Sequence, residues 1–245
     1  MKSCYMTDSG RVRDHNEDSV TILKNASDEY LLIVADGMGG HRKGEVASSI
    51  AVSRLGKRFH DTPSIGTKLD AVNWLNDNIN EINKEILEYG ETHVDSKGLG
   101  TTVVVALLTK SYLIFGNIGD SSGYVVKNNK IHKVTKSHTL VNLLVEAGNI
   151  TEEEALTHPK KNILMKALGV TQNCELDIFD VDMESDMIML CSDGLTNMLT
   201  DEQIEKILID EELSEEEKVD LLIRKCNARG GNDNISVAYL NRNGE

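Results

Sequence analysis

Five short segments each end an apolar or turn-forming stretch with an acidic residue: Arg13-Asp-His-Asn-Glu-Asp18, Val34-Ala-Asp36-Gly-Met-Gly-Gly40, Gly119-Asp120-Ser121, Leu190-Cys-Ser-Asp193-Gly194 and Gly230-Gly-Asn-Asp233-Asn234. Asp36 follows Leu-Leu-Ile-Val-Ala, which puts its carboxylate at the mouth of a buried strand, and the glycines after it let the backbone turn sharply. Asp193 repeats the arrangement after Ile-Met-Leu-Cys-Ser, again with a glycine next. Carboxylates at such core margins are partly desolvated, and they repel one another if they converge. Divalent cations relieve both costs, and hard oxygen ligands select Mg²⁺ or Mn²⁺ over zinc. A single Asp-Gly pair reads as a turn. Two of them at strand ends, with Asn-Glu-Asp and Asn-Asp-Asn beside them, leave a turn reading and a metal-site reading side by side.

The elements that must position these residues are legible from periodicity. Apolar runs with β-branched residues predict strands over Tyr30–Ala35, Thr101–Leu108, Tyr112–Ile118, Tyr124–Val126, Ile131–Val134, Met187–Leu190 and Ile235–Leu240. Several follow one another at hairpin distance, Leu108 to Tyr112 and Val126 to Ile131, which favours antiparallel pairing. Amphipathic spacing predicts helices over Val46–Phe59 and Leu69–Tyr89, the second with Val72, Leu75, Ile79, Ile82 and Ile86 on one face. Capping boxes open three later helices: Thr151 with Glu154, Thr200 with Gln203, and Ser214 with Glu217. Paired strands with grouped helices predict α+β layers rather than a regular βαβ wind.

Composition narrows the function classes. The 245 residues suit one compact domain, spanning 1–245, and there is no repeat, low-complexity segment or flexible linker. The net charge of −14 disfavours nucleic acid, and one tryptophan with 4% aromatics argues against a base-stacking platform. An acidic surface also raises the local concentration of divalent cations. No apolar run reaches the roughly 20 residues of a membrane span, and the first residues carry no apolar signal segment. Cys4, Cys174, Cys191 and Cys226 form no CxxC pair, so reduced, mostly buried thiols and a cytoplasmic setting are expected.

The ordered set of segments resembles the signature of the metal-dependent Ser/Thr protein phosphatases (the PPM, or type 2C, family), in particular its compact bacterial members. The matches are Gly10-Arg-Val-Arg13 with Asn16-Glu-Asp18; Ala35-Asp-Gly-Met-Gly-Gly-His41 with Gly44-Glu-Val-Ala-Ser48; Gly98-Leu-Gly-Thr-Thr102; Gly116-Asn-Ile-Gly-Asp-Ser121; Leu140-Val-Asn142 with Gly148, Ala155, His158-Pro159 and Asn162; Ser192-Asp-Gly-Leu-Thr196; and Gly230-Gly-Asn-Asp-Asn234. They cover essentially the whole chain.

The resemblance implies an α+β four-layer sandwich, two antiparallel β-sheets flanked by helices on both sides. It implies hydrolysis of phosphoserine and phosphothreonine in proteins by a hydroxide bridging two Mn²⁺ or Mg²⁺ ions, opposing a bacterial Ser/Thr kinase, in a monomer. By the same resemblance Asp36, Asp193, Asp233 and the Gly37 carbonyl bind the metals, and Glu17 and Asp18 complete the site. Arg13 holds the substrate phosphate, and Asp120 with Asp193 holds a third metal. Without the resemblance, Arg13 reads as a surface ion pair with Asp14 or Glu17. For the leaving-group proton the candidates are His41 and a metal-bound water, since the family's usual histidine position is Met38. Val141–Leu164 corresponds to the family's flap, which influences substrate choice.

Two positions depart from the family pattern. Ser122 stands where an arginine is usual, and Ser137 where an aspartate is usual. Joint loss of an ion pair strands no charge, so these changes bear on how the flap is held and leave the metal ligands intact. Competing functions are a phosphoprotein-binding pseudophosphatase, disfavoured by the presence of Arg13, Asp36, Asp193 and Asp233, and a small-molecule phosphatase on the same scaffold.

Overall fold

The computed structural model describes residues 1–39, 43–93, 96 and 98–244. Within them the chain runs β1 (Lys2–Asp8), β2 (Asp18–Lys24), β3 (Tyr30–Met38), α1 (Lys43–Asp61), α2 (Lys68–Thr92), β4 (Gly100–Thr101), β5 (Val103–Leu108), β6 (Leu113–Ile118), β7 (Ser122–Lys127) and β8 (Lys130–Lys133). It continues with α3 (Leu140–Glu146), α4 (Glu152–Thr157), β9 (Asp177–Val181), β10 (Met187–Cys191), α5 (Asp193–Thr196), α6 (Asp201–Leu208), α7 (Glu215–Ala228) and β11 (Ile235–Asn241). One sheet has the order β1-β11-β10-β7-β8, and the other β2-β3-β5-β6-β9 with β4 beside β3. Every pairing is antiparallel.

Alternation along the strands explains the four layers. On β3, Leu32 and Val34 join Val104, Ala106 and Phe115 in a core shared with Ile188, Leu190, Ala238 and Leu240 of the other sheet. Leu31, Ile33 and Ala35 take the opposite face and pack on Ala51, Leu55 and Phe59 of α1 and Leu75, Ile79 and Ile82 of α2. On the far side Met189, Cys191, Val237 and Tyr239 meet Ile204 of α6 and Val219, Leu222 and Cys226 of α7. Strands with helices on one face and a sheet on the other are apolar on both, and so read as continuous hydrophobic runs. Each fully buried aliphatic side chain contributes about 1.5–3 kcal/mol.

The predicted helices form with their expected faces, and all three capping boxes are present. The Val126 to Ile131 hairpin turns through Asn128 and Asn129, both at positive φ, as a two-residue turn between twisted strands requires. Three strands lack a counterpart in the sequence prediction, β1, β2 and β9, and all three are sheet edges. An edge strand buries only one narrow face, here Cys4 and Met6, so no apolar run marks it. The expected strand Thr101–Leu108 is interrupted at Thr102, whose hydroxyl replaces its carbonyl as the acceptor for the Asp36 N–H at 2.9 Å. No described helix is long and apolar enough to cross a membrane. The four cysteines are free, three of them buried.

Candidate metal centre

The candidate ligands lie at one end of the two sheets because each ends or begins a strand there. Asp18 opens β2 and Asp36 lies near the end of β3, directly opposite in the antiparallel register. Asp120 lies in the link from β6 to β7, which carries the chain from one sheet to the other. Asp193 is the first residue of α5, just after β10, and Asp233 precedes β11. Glu17 and Arg13 lie in the connection from β1 to β2. His41, the nearest candidate for the leaving-group acid, lies outside the described residues.

Backbone close approach holds the centre together. The Gly37 N–H donates to the Glu17 carbonyl at 3.1 Å. A Cβ at Gly37 would stand 2.1 Å from the Gly44 carbonyl oxygen, so only glycine lets the first turn of α1 meet the Asp36 turn. The Gly44 N–H in return donates to the Glu17 carboxylate. Asn234 ties the other side: its Oδ1 accepts from the Glu17 N–H at 2.8 Å, and its Nδ2 donates to the Ser9 and His15 carbonyls at 2.9 Å each. Thr101 Oγ1 donates to the Asp36 carbonyl at 2.9 Å, and Thr102 Oγ1 lies 2.8 Å from Ser121 Oγ, linking the Asp36 and Asp120 loops.

The carboxylates feel one another. Burial pushes Asp18 up to about 7 against the hydrogen bond from Ser192, with the charges of Asp193 and Asp233 adding to the rise. Burial and then the charges of Asp18, Asp193, Asp120 and Asp233 raise Asp36 well above its usual range. Asp120 is pushed up to about 7 by burial and by Asp193, with Lys133 pulling the other way. Asp193 is raised by burial and by Asp233, although hydrogen bonds with Asp36 and Asn197 oppose the shift. Glu17 is raised by burial, with the Gly44 N–H opposing it.

Two details bear on whether hard cations fit. Asp18 Oδ2 accepts from Ser192 Oγ at 2.7 Å, but Asp18 Oδ1 is buried with no hydrogen-bond partner. An orphaned carboxylate oxygen among other carboxylates is a donor without its cation. Asp233 is engaged at both oxygens, Oδ1 by the Asn234 N–H at 3.0 Å and Oδ2 by Arg13 Nη2 at 2.8 Å. Among the described residues no three acidic, histidine or cysteine side chains are drawn into a closed ligand shell. The all-oxygen donor set fits Mg²⁺ or Mn²⁺.

Arg13 thus pairs with Asp233 rather than with Asp14 or Glu17. The pair is half exposed and contributes at most about 1 kcal/mol, so little holds the guanidinium away from an incoming anion. Asp120 and Asp193 face a cleft of about 710 Å³ under α3 and α4, while Arg13 and Glu17 line a smaller one of about 500 Å³. Sequence reasoning missed Ser192, Thr102, Ser121 and Asn234 as supports. Ser192, Ser121 and Asn234 each stand next to one of the aspartates, whereas Thr102 closes the Gly98-Leu-Gly-Thr-Thr102 motif, which holds none.

Comparison with known proteins agrees with this geometry. The family model "Protein phosphatase 2C" matches residues 10–228. The chain is 44% identical over 244 residues to a serine/threonine phosphatase stp of Listeria welshimeri, covering 99% of this chain and 96% of that protein. It is 37% identical to protein phosphatase PhpP of Streptococcus pneumoniae, over 100% and 99% of the two chains. Among solved structures, serine/threonine phosphatase Stp1 from Staphylococcus aureus superposes with a TM-score of 0.92 at 36% identity, covering 99% and 95% of the chains. The Mycobacterium tuberculosis serine/threonine phosphatase PstP/Ppp superposes with a TM-score of 0.85 at 35% identity, over 97% of each. With its ordered motifs, layered sheets and cluster of aspartates, the chain belongs to the protein phosphatase 2C family, a family of metal-dependent enzymes.

Proposed function

We propose that residues 1–245 form a single catalytic domain that removes phosphate from phosphoserine and phosphothreonine in proteins, opposing a Ser/Thr kinase as a cytoplasmic monomer. The observation that carries the reading is the convergence of Asp18, Asp36, Asp120, Asp193 and Asp233, with a buried Asp18 oxygen left unpartnered. Free thiols at Cys4, Cys174, Cys191 and Cys226 support a reducing compartment.

Asp18, Asp36, Asp193, Asp233, Glu17 and the Gly37 carbonyl would hold two Mn²⁺ or Mg²⁺ ions, and Asp120 with Asp193 a third. When bound, such ions supply an acidified water at neutral pH and positive charge opposite the phosphoryl oxygens. Arg13 leaves Asp233 to grip the phosphate with its planar donor fork, a geometry lysine cannot match. The leaving serine or threonine oxygen takes its proton from His41 or from water in the site. Segment 141–164, which carries α3 and α4, is the flap over the cleft.

The test is phosphate release from a phosphothreonine peptide in Mn²⁺, with and without chelator, beside p-nitrophenyl phosphate as a small substrate. Chelator is expected to abolish both activities, with the peptide preferred by kcat/KM. Arg13→Ala is expected to raise KM for the peptide about tenfold, the effect of losing one charge-assisted contact of about 1.5 kcal/mol, with a smaller change in kcat. Chelator-resistant turnover would end the metal mechanism. Stoichiometric phosphopeptide binding without turnover under any divalent ion would favour the pseudophosphatase, which the relatives compared, all named as phosphatases, do not support.

A further inference from the structure

Gly119, the residue before Asp120, has a backbone fixed from outside its own loop. Its φ of +108° is one that side chains rarely adopt, and a Cβ there would meet Thr102 Cγ2 at 2.5 Å. Its N–H donates to His138 Nδ1 at 3.0 Å, and its carbonyl accepts from the His138 N–H at 2.9 Å and from Asn117 Nδ2 at 3.1 Å. On the other edge of the ring, His138 Nε2 lies 3.1 Å from Asp177 Oδ2, and Lys166 Nζ donates to Asp177 Oδ1 at 2.7 Å.

This chain of contacts selects one tautomer. Nδ1 faces a backbone N–H and must accept, so Nε2 carries the proton and donates to Asp177. Burial pushes the Asp177 carboxyl upward, but hydrogen bonds from Lys166 and His138 outweigh it and hold it below the usual range, so it stays an anionic acceptor. The His138 side chain is only 14% exposed, which shelters the arrangement from water.

His138 also forms the base of the α3–α4 segment. Its carbonyl accepts from the Met165 N–H at 2.8 Å, and the Leu140 N–H donates to the Ile163 carbonyl at 2.9 Å beside it. Neither the Ser122 nor the Ser137 side chain carries this linkage: Ser122 Oγ is buried without a partner, and Ser137 contributes its backbone carbonyl, which accepts from Asn142 Nδ2 of α3. The connection between the Asp120 loop and segment 141–164 therefore runs through the His138 imidazole.

We propose that His138 is a positioning residue that aims the Asp120 carboxylate at a divalent cation and ties that aim to the base of segment 141–164. Asp177 and Lys166 act behind it by fixing its tautomer, as outer-shell carboxylates do for histidines near metals. The inference rests on the reading of Asp120 as a metal ligand.

The test is calorimetric titration of Mn²⁺ into the metal-free full-length protein, without substrate. Asp120→Asn identifies the Mn²⁺ event that depends on that carboxylate. His138→Ala is expected to weaken the same event about 10- to 100-fold and to speed amide exchange at Leu140 and Met165. His138→Asn, whose side-chain oxygen takes the place of Nδ1 toward the Gly119 N–H, is expected to recover most of the affinity. Asp177→Asn, which removes only the anion behind the ring, weakens the event less than His138→Ala and decides the matter if the alanine variant does not fold. Mn²⁺ binding unchanged in His138→Ala or in Asp177→Asn overturns the proposal, as does equal loss in His138→Ala and His138→Asn. Wild-type protein that binds no Mn²⁺ sinks the metal reading of the site, and this inference with it.

Discussion

Asp193→Ala is expected to abolish phosphate release from a phosphothreonine peptide in Mn²⁺, with kcat falling on the order of 10³-fold or more. Asp193 sits between the charges of Asp36 and Asp233, and Asn197 Nδ2 holds its Oδ2 at 3.0 Å. It is assigned to the paired metals and to the third, so its loss removes a ligand shared by the whole centre. The same substitution is expected to have the opposite sign on stability in chelator. The raised carboxyl of Asp193 means that its charge is held at a cost in the folded chain without metal. As the first residue of α5 it gains roughly 0.3–1 kcal/mol from the helix dipole, less than a buried like-charge contact costs. The metal-free variant should therefore melt above the metal-free wild type. Phosphate release and thermal unfolding in chelator check the two halves separately. Near-normal turnover would remove Asp193 from the ligand set, and an inactive variant that also melts lower would point to a structural role instead.

Metal-free protein is expected to lose stability as pH rises from about 5 to about 7. Asp18 and Asp120 have folded values of about 7 against an ordinary 3.8. Below 3.8 both forms of the chain carry the proton, and no penalty exists. Between 3.8 and about 7 only the folded chain keeps it, so the unfolded chain binds fewer protons and stability falls with pH. Over the two pH units of this window each such carboxyl costs on the order of 3 kcal/mol, which corresponds to a drop of roughly 5–10 °C in a chain of this size. The lowered carboxyls of Asp70, Asp177 and Asp182 act near and below pH 4, outside this window. Added Mn²⁺ should reverse the slope, because ligands must be deprotonated to bind and saturation contributes about 3–4 kcal/mol at 100 to 1,000 times Kd. Thermal melts at pH 5, 6 and 7, with chelator and with Mn²⁺, provide the measurement. A melting temperature that climbs with pH in chelator would mean that the carboxylates do not converge as the structure places them.

How much of this was legible beforehand depended on whether the signal was local. Tyr30–Ala35 announces a buried strand because both faces of β3 are covered, so every residue in the run is apolar. Thr200 with Gln203 and Ser214 with Glu217 announce helix starts because a capping box closes within four residues. β1 carries no such mark. Its seven residues pair with β11 from the far end of the chain, Lys2 opposite Asn241, and nothing in Lys-Ser-Cys-Tyr-Met-Thr-Asp anticipates that partner. The site divides in the same way. Asp36 and Asp193 stand out as strand-end Asp-Gly pairs, whereas Ser192, which holds Asp18 across 174 positions of sequence, is unremarkable among the serines.

By itself the sequence determined the aspartates with their glycine turns, the apolar runs and capped helices, and the family order that names the reaction. These are properties of neighbours in the chain, set by periodicity and turn chemistry. Only the tertiary structure decided that Asp18 and Asp36 face each other, that Arg13 rests on Asp233, and that His138 grips the loop before Asp120. Those contacts join residues 18 to 220 positions apart, and they exist because antiparallel pairing brings strand ends from both sheets to one edge, where partly desolvated carboxylates are forced into one another's field.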